Sequence, residues 1–495
     1  MALPNKPNWE LLAEPDLSKV PVVEHEYDAL IVGGGMAACG TAFEIGKWMP
    51  AGSKVCLVDK AALERSGAVA QGLSAINTYI GENSPADYVR MVRGDLMGVV
   101  REDLIFDLGR HVDDSVIHFE EWGLPIWKKK GSEGKALKDG GEPVRTGKWQ
   151  IMINGESYKC IVAEAAKAAM EEMGYDIHER VFIVKLLLDA NKENTIAGAV
   201  GFSSRENKVH VYKAKAMMVA CGGAVNIFRP RTTDEGKGRA WYPIWNSGST
   251  YTMCMQVGAE MTMMENRFTP SRFKDGYGPV GAWFLLFKAT VTNGAGEHYV
   301  KSDAAKAELA KYEPYGSAAV TPPCLRNHLM LFEMKEGRGP IIMDTAAALN
   351  AFMENKRAEG MDEKALKKFW KELESEAWED FLDMSVGQAG LWASMDIEPE
   401  KVGSEIMPTE PYMLGSHSGC CGIWVSGPSE DWVPDSYKWG YNRMTTVNGL
   451  FTSGDGVGAS GHKFSSGSHA EGRIVAKQMV KYCRDNDFTP ELQQT

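Results

Sequence analysis

Gly33, Gly35 and Ala38 stand in a G-x-G-x-x-A spacing, and Asp59 follows 24 residues after Gly35. Those residue types at that spacing serve one piece of chemistry, the holding of a pyrophosphate and a ribose. Glycines let the backbone approach phosphate oxygens, the start of a helix favours negative charge, and a carboxylate ending a second strand accepts a ribose hydroxyl. The motif has meaning only between the right elements, and both are legible. Residues 27–32 (YDALIV) form a short apolar run that breaks into three glycines, and the MAACGTAFEIGKWM after them has helical spacing of small and apolar residues. A second strand over residues 54–58 ends at Asp59.

This fingerprint suits NAD and FAD equally. The C-terminal part of the chain separates them. Gly454, Gly456, Gly458, Gly461, Gly467 and Gly472 crowd around Asp455, after a strand-like run at 449–453 (GLFTS) and before a C-terminal helix. In an FAD-binding chain such a segment holds the ribityl through its Asp and aims a helix N-terminus at the flavin ring, favouring the anionic reduced form. FAD is the expected cofactor, and the expected chemistry is redox on a small anionic substrate.

The elements around these motifs set the architecture. Residues 1–24 read as a Pro-rich, polar N-terminal arm. VFIVKLLLDA, TIAGAVGF and HVYKAKAMMVACGG, between residues 180 and 223, have the spacing of a small β-meander returning to the main sheet. From 269 to about 411 the texture changes to Pro/Gly-rich loops and a charged helical stretch, DEKALKKFWKELESEAWEDFLDM, whose charges from Lys364 to Glu379 form a wet helix face. The expected fold is α/β: a Rossmann-like FAD-binding domain, with a central parallel sheet plus β-meander, interrupted by an α+β capping domain. Its parts run 25–268 (FAD-binding, first part), 269–412 (cap) and 413–495 (FAD-binding, second part).

Composition excludes several classes. With 44% hydrophobic and 24% charged residues the chain is globular, and a net charge of −12 repels nucleic acid and anionic membranes. No apolar run reaches the ~18 residues of a membrane helix and no signal peptide is seen, so the cytoplasm is expected. The nine cysteines fall in no C-x-x-C spacing, so no iron-sulfur cluster or other metal site is expected in this chain.

Taken together, these features resemble the fumarate reductase and succinate dehydrogenase flavoprotein superfamily. The stretches RSGAVAQGLSAIN, WQIMINGESYK, NRFTPSRFKDGYGPVGAWF, LGSHSGCCGIWV and KFSSGSHAEGRIVAKQMV are similar to one family within it, the alpha subunits of dissimilatory adenylylsulfate reductases. In the dicarboxylate enzymes a His bonds covalently to FAD. Here Arg65-Ser66 is followed by Gly67, so FAD is expected to be non-covalent. Their His-Pro-Thr segment is replaced by Phe268-Thr269-Pro270-Ser271-Arg272.

The resemblance implies reversible reduction of adenosine 5′-phosphosulfate to AMP and sulfite through a flavin N5-sulfite adduct, in dissimilatory sulfur metabolism. It implies Arg272 and His417 as groups that neutralise sulfate or phosphate oxygens, Asn77 on the substrate side near N5, and Trp241, Phe268 and Leu285 as apolar walls. It places Ser66, Gly67, Gln71, Gly72, Ser466 and His469 beside FAD, with His462 near the cofactor rather than in catalysis. Glu156 is expected to be solvated or salt-bridged. Electrons are expected from a ferredoxin-like beta subunit carrying [4Fe-4S] clusters. Family members continue into a C-terminal helical domain, and this sequence stops at ELQQT, so that domain is expected to be absent. Two other readings stand beside this one: a dicarboxylate oxidoreductase of the fumarate reductase or aspartate oxidase kind, and a non-catalytic FAD electron-relay subunit.

Overall fold

A computed structural model of the chain describes residues 17–80, 84–146, 149–203, 205–224, 245–266, 271–274, 280–408 and 420–493. The chain opens with β1 (Val22–Val32), α1 (Met36–Ile45), β2 (Val55–Asp59), β3 (Ala75–Asn77), α2 (Pro85–Asp95) and α3 (Glu102–Glu121). It continues through β4 (Gln150–Met152), α4 (Tyr158–Glu172), β5 (Asp176–Glu179), β6 (Phe182–Leu188), β7 (Ile196–Ser203), β8 (Lys208–Val219) and α5 (Ser249–Gln256). Next come β9 (Met261–Thr262), β10 (Ser271–Phe273), α6 (Val280–Leu286), β11 (Thr290–Thr292), α7 (Asp303–Leu309), α8 (Pro323–Lys335), β12 (Ile341–Asp344) and α9 (Thr345–Ala358). The chain closes with α10 (Glu363–Ser394), β13 (Ser404–Pro408), β14 (Gly422–Ile423), β15 (Leu450–Thr452) and α11 (Phe464–Asp485).

The main sheet has the order β5-β2-β1-β8-β7-β6, with β15 also pairing β8. β5, β2, β1, β8 and β15 run parallel, while β6, β7 and β8 are joined antiparallel as the meander. β1 starts at Val22, five residues before the apolar run at 27. Its first half is stabilised by pairing rather than by burial: residues 22–27 align with 209–214 of β8, and their exposure alternates. A half-buried edge of that kind alternates polar and apolar side chains and is weak as a sequence signal.

One face of the sheet is covered by α1, α4 and α11. α1 and α11 touch backbone to backbone. A Cβ on Gly40 would stand 2.1 Å from the carbonyl oxygen of His469, and one on Gly472 would stand 2.0 Å from that of Ala37. Only glycine permits this approach.

A buried carboxylate ties the same two helices. Glu44 of α1 accepts from Trp48 Nε1 at 2.9 Å and pairs with Arg473 of α11 at 3.1 Å. Burial opposes its charge, but these donors and Lys47 outweigh burial and hold the carboxyl down at about 2. A folded-state pKa below the unfolded value adds stability above pH ~4.5 that is lost as pH falls toward 2. The gap in melting temperature between the wild type and Glu44→Gln is therefore expected to be largest near neutrality and to narrow below pH ~4.5. A gap independent of pH would show that Glu44 is not held ionised by the fold.

The segment between β10 and β13 builds its own sheet, β10-β13-β12-β11, all antiparallel. It has its own aromatic core. The Trp283 ring stacks on Phe287 at 3.9 Å and meets Phe381 and Trp392 at 5.0 Å each, and its Nε1 donates to Thr345 Oγ1 at 2.7 Å. α10 is capped by Asp362, which accepts from the amides of Lys364 and Ala365. The helix continues ten residues past the charged stretch, with one break at Ser385, where φ is −154° and ψ is 60°. Among the described residues, no helix is long and apolar enough to cross a membrane.

Candidate active site

A cavity of about 360 Å3 opens at the carboxyl ends of the parallel strands β1, β2, β8 and β15. That is where ligands sit in open α/β sheets. The turn after β1 lines it with Gly33, Gly34 and Gly35, followed by Met36 and Ala37 at the start of α1. No side chain caps α1 at Gly35, so its first amides are left for an anion on the cavity side.

Each glycine of the turn has its own reason. Gly33 adopts φ +119°, and a Cβ there would lie 2.4 Å from the Ala220 carbonyl oxygen. A Cβ on Gly34 would lie 2.6 Å from Asp59 Cγ, whereas one on Gly35 would meet nothing nearer than Gly67 Cα at 4.0 Å. Asp59 ends β2, is 5% exposed, and accepts from the Ala61 amide at 3.1 Å, which aims its carboxylate at the cavity rim. An anion-ready helix end, a bare Gly turn and a rim carboxylate fit the pyrophosphate and ribose of FAD.

The remaining wall comes from residues 65–75 and from the turn after β15. Ser66, Gly67, Gln71, Gly72 and Asp455 line the cavity, together with Ser453, Gly454, Ser465 and Ser468. Gly72 has φ +84°, and a Cβ on it would stand 2.4 Å from the Met384 carbonyl oxygen. The break in α10 thus presses against this loop and puts Ser385 on the cavity wall. Glu156 pairs with Arg65 at 3.5 Å, the salt-bridged state expected of it.

Some sequence-predicted residues sit behind the wall rather than on it. Ala38 is fully buried on α1. Ser466 donates to the Asn77 carbonyl oxygen at 2.6 Å, and Asn77 donates through Nδ2 to the His462 carbonyl oxygen at 3.2 Å. His469 is fully buried, with Nδ1 3.0 Å from Ser115 Oγ and its ring edge-on to Phe119 and Trp122. Burial pushes His469 well below its ordinary pKa and His462 down to about 4, so both are neutral at pH 7. Trp241, Phe268 and His417 lie outside the described residues. Arg272 is on β10 and Leu285 on α6, but their side chains are outside the described set.

A buried ion network behind the cavity was not foreseen from the sequence. Glu471 Oε1 accepts from Arg443 Nε at 2.8 Å, and Oε2 accepts from Lys463 Nζ at 2.9 Å and from the Gly454 amide at 2.8 Å. Arg443 also reaches Asp107 at 3.1 Å and the Leu104 carbonyl at 3.0 Å. Glu471, Arg443 and Lys463 are all fully buried. Burial opposes the charge of Glu471, yet Lys463 and Arg443 hold its carboxyl below the usual range. The network fixes the turn that carries Asp455 to α3 and α11. Its one sequence trace is a Lys and a Glu eight residues apart in an otherwise small, polar helix start.

Comparison with known proteins agrees with this geometry. The family described as FAD binding domain matches residues 28–355. The adenylylsulfate reductase subunit alpha of Megalodesulfovibrio gigas is 62% identical, over all of this chain and 76% of that protein. The adenylylsulfate reductase of Archaeoglobus fulgidus superposes with a TM-score of 0.85 at 52% identity, covering 96% of this chain and 72% of the other. An adenosine-5-phosphosulfate reductase in complex with sulfite, as a covalent adduct, superposes equally well over the same shares. With 62% identity to a relative of which it spans three quarters, and a cavity lined by the Gly33–Gly35 turn and Asp59 at the expected strand ends, the chain belongs to the adenylylsulfate reductase alpha-subunit family of FAD-binding flavoproteins.

Proposed function

We propose that this chain is the catalytic flavoprotein of an adenylylsulfate reductase: adenosine 5′-phosphosulfate, two electrons and protons give AMP and sulfite, reversibly. The observation that carries this reading is the 62% identity along the entire chain to such a subunit. When bound, FAD supplies the two-electron chemistry and the ring at which sulfur reacts. The chain's own residues bind and orient. The Gly33–Gly35 turn and the α1 N-terminus hold the pyrophosphate, Asp59 holds a ribose, and the turn around Asp455 sets the ring's position. Ser66, Gly67, Gln71 and Gly72 line the flavin side, and no His is among the described residues of the cavity wall.

In this reading Arg272 and His417 neutralise oxygens of the sulfate and of the departing AMP phosphate. Asn77 orders the backbone next to the ring, and Trp241, Phe268 and Leu285 form the apolar walls of the nucleotide pocket. Residues 269–412 act as the cap over the cavity, between the FAD-binding parts 25–268 and 413–495. Electrons come from a ferredoxin-like beta subunit with [4Fe-4S] clusters, and the reaction belongs to dissimilatory sulfur metabolism in the cytoplasm.

The test is a sulfite titration of the FAD-loaded chain, followed by AMP. Saturable bleaching of the flavin band that AMP modulates is the expected result. An unchanged spectrum from folded holoprotein, with reoxidation of the reduced flavin by fumarate, would instead support a dicarboxylate enzyme. Arg272→Ala is expected to lower kcat/KM for adenosine 5′-phosphosulfate by at least about 100-fold, the effect of deleting one charged donor to a developing anion. Its FAD content should be unchanged. Wild-type turnover in that variant would remove Arg272 from the reaction.

A further inference from the structure

His25 on β1, His178 on β5 and His210 on β8 are separated by up to 185 residues, and no sequence spacing links them. The fold brings them together. One ligand nitrogen from each lies within 4.8 Å of one from each of the others. His25 Nε2 stands 3.1 Å from His210 Nδ1, and the His25 ring centroid is 4.9 Å from that of His178 and 5.3 Å from that of His210. His210 is only 7% exposed, and its Nε2 has no hydrogen-bond partner among the described residues.

Neighbouring groups hold the rings in place. His178 Nδ1 faces the Tyr212 hydroxyl at 2.9 Å, and the Tyr212 ring stacks on His25 at 4.7 Å. Tyr27 also stacks on His25 and donates to Asp176 at 2.8 Å. Burial lowers the pKa of all three rings and favours their neutral form, partly opposed by the carboxylates of Asp176 and Glu206. None of the three histidines lines the FAD cavity.

Imidazole nitrogen is the common ligand of Zn2+, Cu2+ and Ni2+. A tetrahedral ion about 2.1 Å from each nitrogen sets those nitrogens roughly 3.4 Å apart. The His25 and His210 pair, at 3.1 Å, already has nearly that spacing, and the His178 nitrogen lies within 4.8 Å of both. We propose that His25, His178 and His210 form a site for one divalent transition ion of the zinc class, distinct from the FAD cavity. Three imidazoles leave a fourth tetrahedral position for water. In the sheet order β5-β2-β1-β8, the ion joins β5 to two strands that it does not pair with.

The experiment uses the full FAD-loaded chain, stripped of metal with a chelator and titrated with Zn2+ by calorimetry. Cu2+ is loaded in parallel and followed by electron paramagnetic resonance, to which oxidised flavin is silent. One Zn2+ per chain and nitrogen hyperfine splitting on Cu2+ are expected. His25→Gln and His178→Gln should each weaken Zn2+ binding by at least about tenfold, the lower end of what even an outer-shell loss does to a metal site, with FAD content unchanged. Absence of stoichiometric Zn2+ binding by the wild type overturns the proposal, as does wild-type affinity in either variant with full FAD. If a variant fails to fold, the Cu2+ spectrum of the wild type decides: a signal without nitrogen splitting from several imidazoles rejects the site.

Discussion

Gly33→Ala is expected to give a chain that retains almost no FAD. The Gly33 backbone sits at φ +119°, outside the regions open to residues with a side chain, and the new Cβ would stand 2.4 Å from the carbonyl oxygen of Ala220. Backbone strain alone costs about 1–3 kcal/mol. The carbonyl cannot retreat cheaply, because Ala220 donates its own amide to Val32 at 2.8 Å and follows directly on β8, the strand beside β1. The turn must therefore move, and with it the amides that face the pyrophosphate. A loss of roughly 3 kcal/mol corresponds to at least about 100-fold weaker FAD binding. Gly35→Ala is the matched control, since its Cβ meets no protein atom closer than 4.0 Å. It should fold normally and lose FAD affinity only through contact with the ligand. Flavin absorbance per protein after gel filtration, with circular dichroism for the fold, separates the two. Full flavin content in Gly33→Ala would mean the turn tolerates a side chain, and the reading of this wall would fail.

The second large effect is expected at Glu471. Alanine there leaves the Arg443 guanidinium and the Lys463 ammonium buried without their shared carboxylate, and removes the Glu471 oxygen that the Gly454 amide donates to. Breaking a buried pair by removing one partner costs about 3–5 kcal/mol, because the remaining charge cannot be hydrated. Here two cations are stranded, and Asp107 can compensate only Arg443. Glu471→Ala should therefore unfold at clearly lower denaturant than the wild type. It should also lose FAD before it loses secondary structure, because the turn carrying Asp455 is released first. Glu471→Gln keeps the shape and can keep the Gly454 and Lys463 contacts through its one oxygen, but loses the charge and turns its NH2 toward Arg443, so it should fall between the two. Denaturant curves followed by flavin fluorescence and by circular dichroism test this. Coincident curves within about 1 kcal/mol of the wild type would show that the network contributes little.

Much of this protein was legible in its residue order, because the signals concerned are local. The Gly33, Gly35 and Asp59 fingerprint depends on a strand, a turn and a helix contiguous in sequence, and the structure has β1, α1 and β2 at those places. The meander of β6, β7 and β8 was readable from β-rich runs separated by short turns, and the charged stretch from residue 362 was readable as a helix start. Two hidden features were also local but weak. The first half of β1 alternates exposure without an apolar run, and Ser385 breaks α10 with no proline, marked only by Gly387 two residues on.

The rest was decided by contacts between residues far apart in the chain, which periodicity cannot encode. Gly34 falls on an unspecified position of the motif, yet its lack of a side chain is what admits Asp59, 25 residues on. Ser466 and His469 sit in the glycine-rich segment expected to meet FAD. The helical phase of α11 turns them inward instead, toward Asn77 and Ser115, and leaves Ser465 and Ser468 on the cavity. The pairing of Glu471 with Arg443 and Lys463, and the meeting of His25, His178 and His210, arise only when strands and helices from distant segments pack together. The sequence by itself determined the cofactor-binding elements and the family, since spacing and residue type within short segments suffice for both. Tertiary structure alone decided which side chains face the cavity, because that depends on helix rotation and on which distant backbone comes close enough to exclude a Cβ.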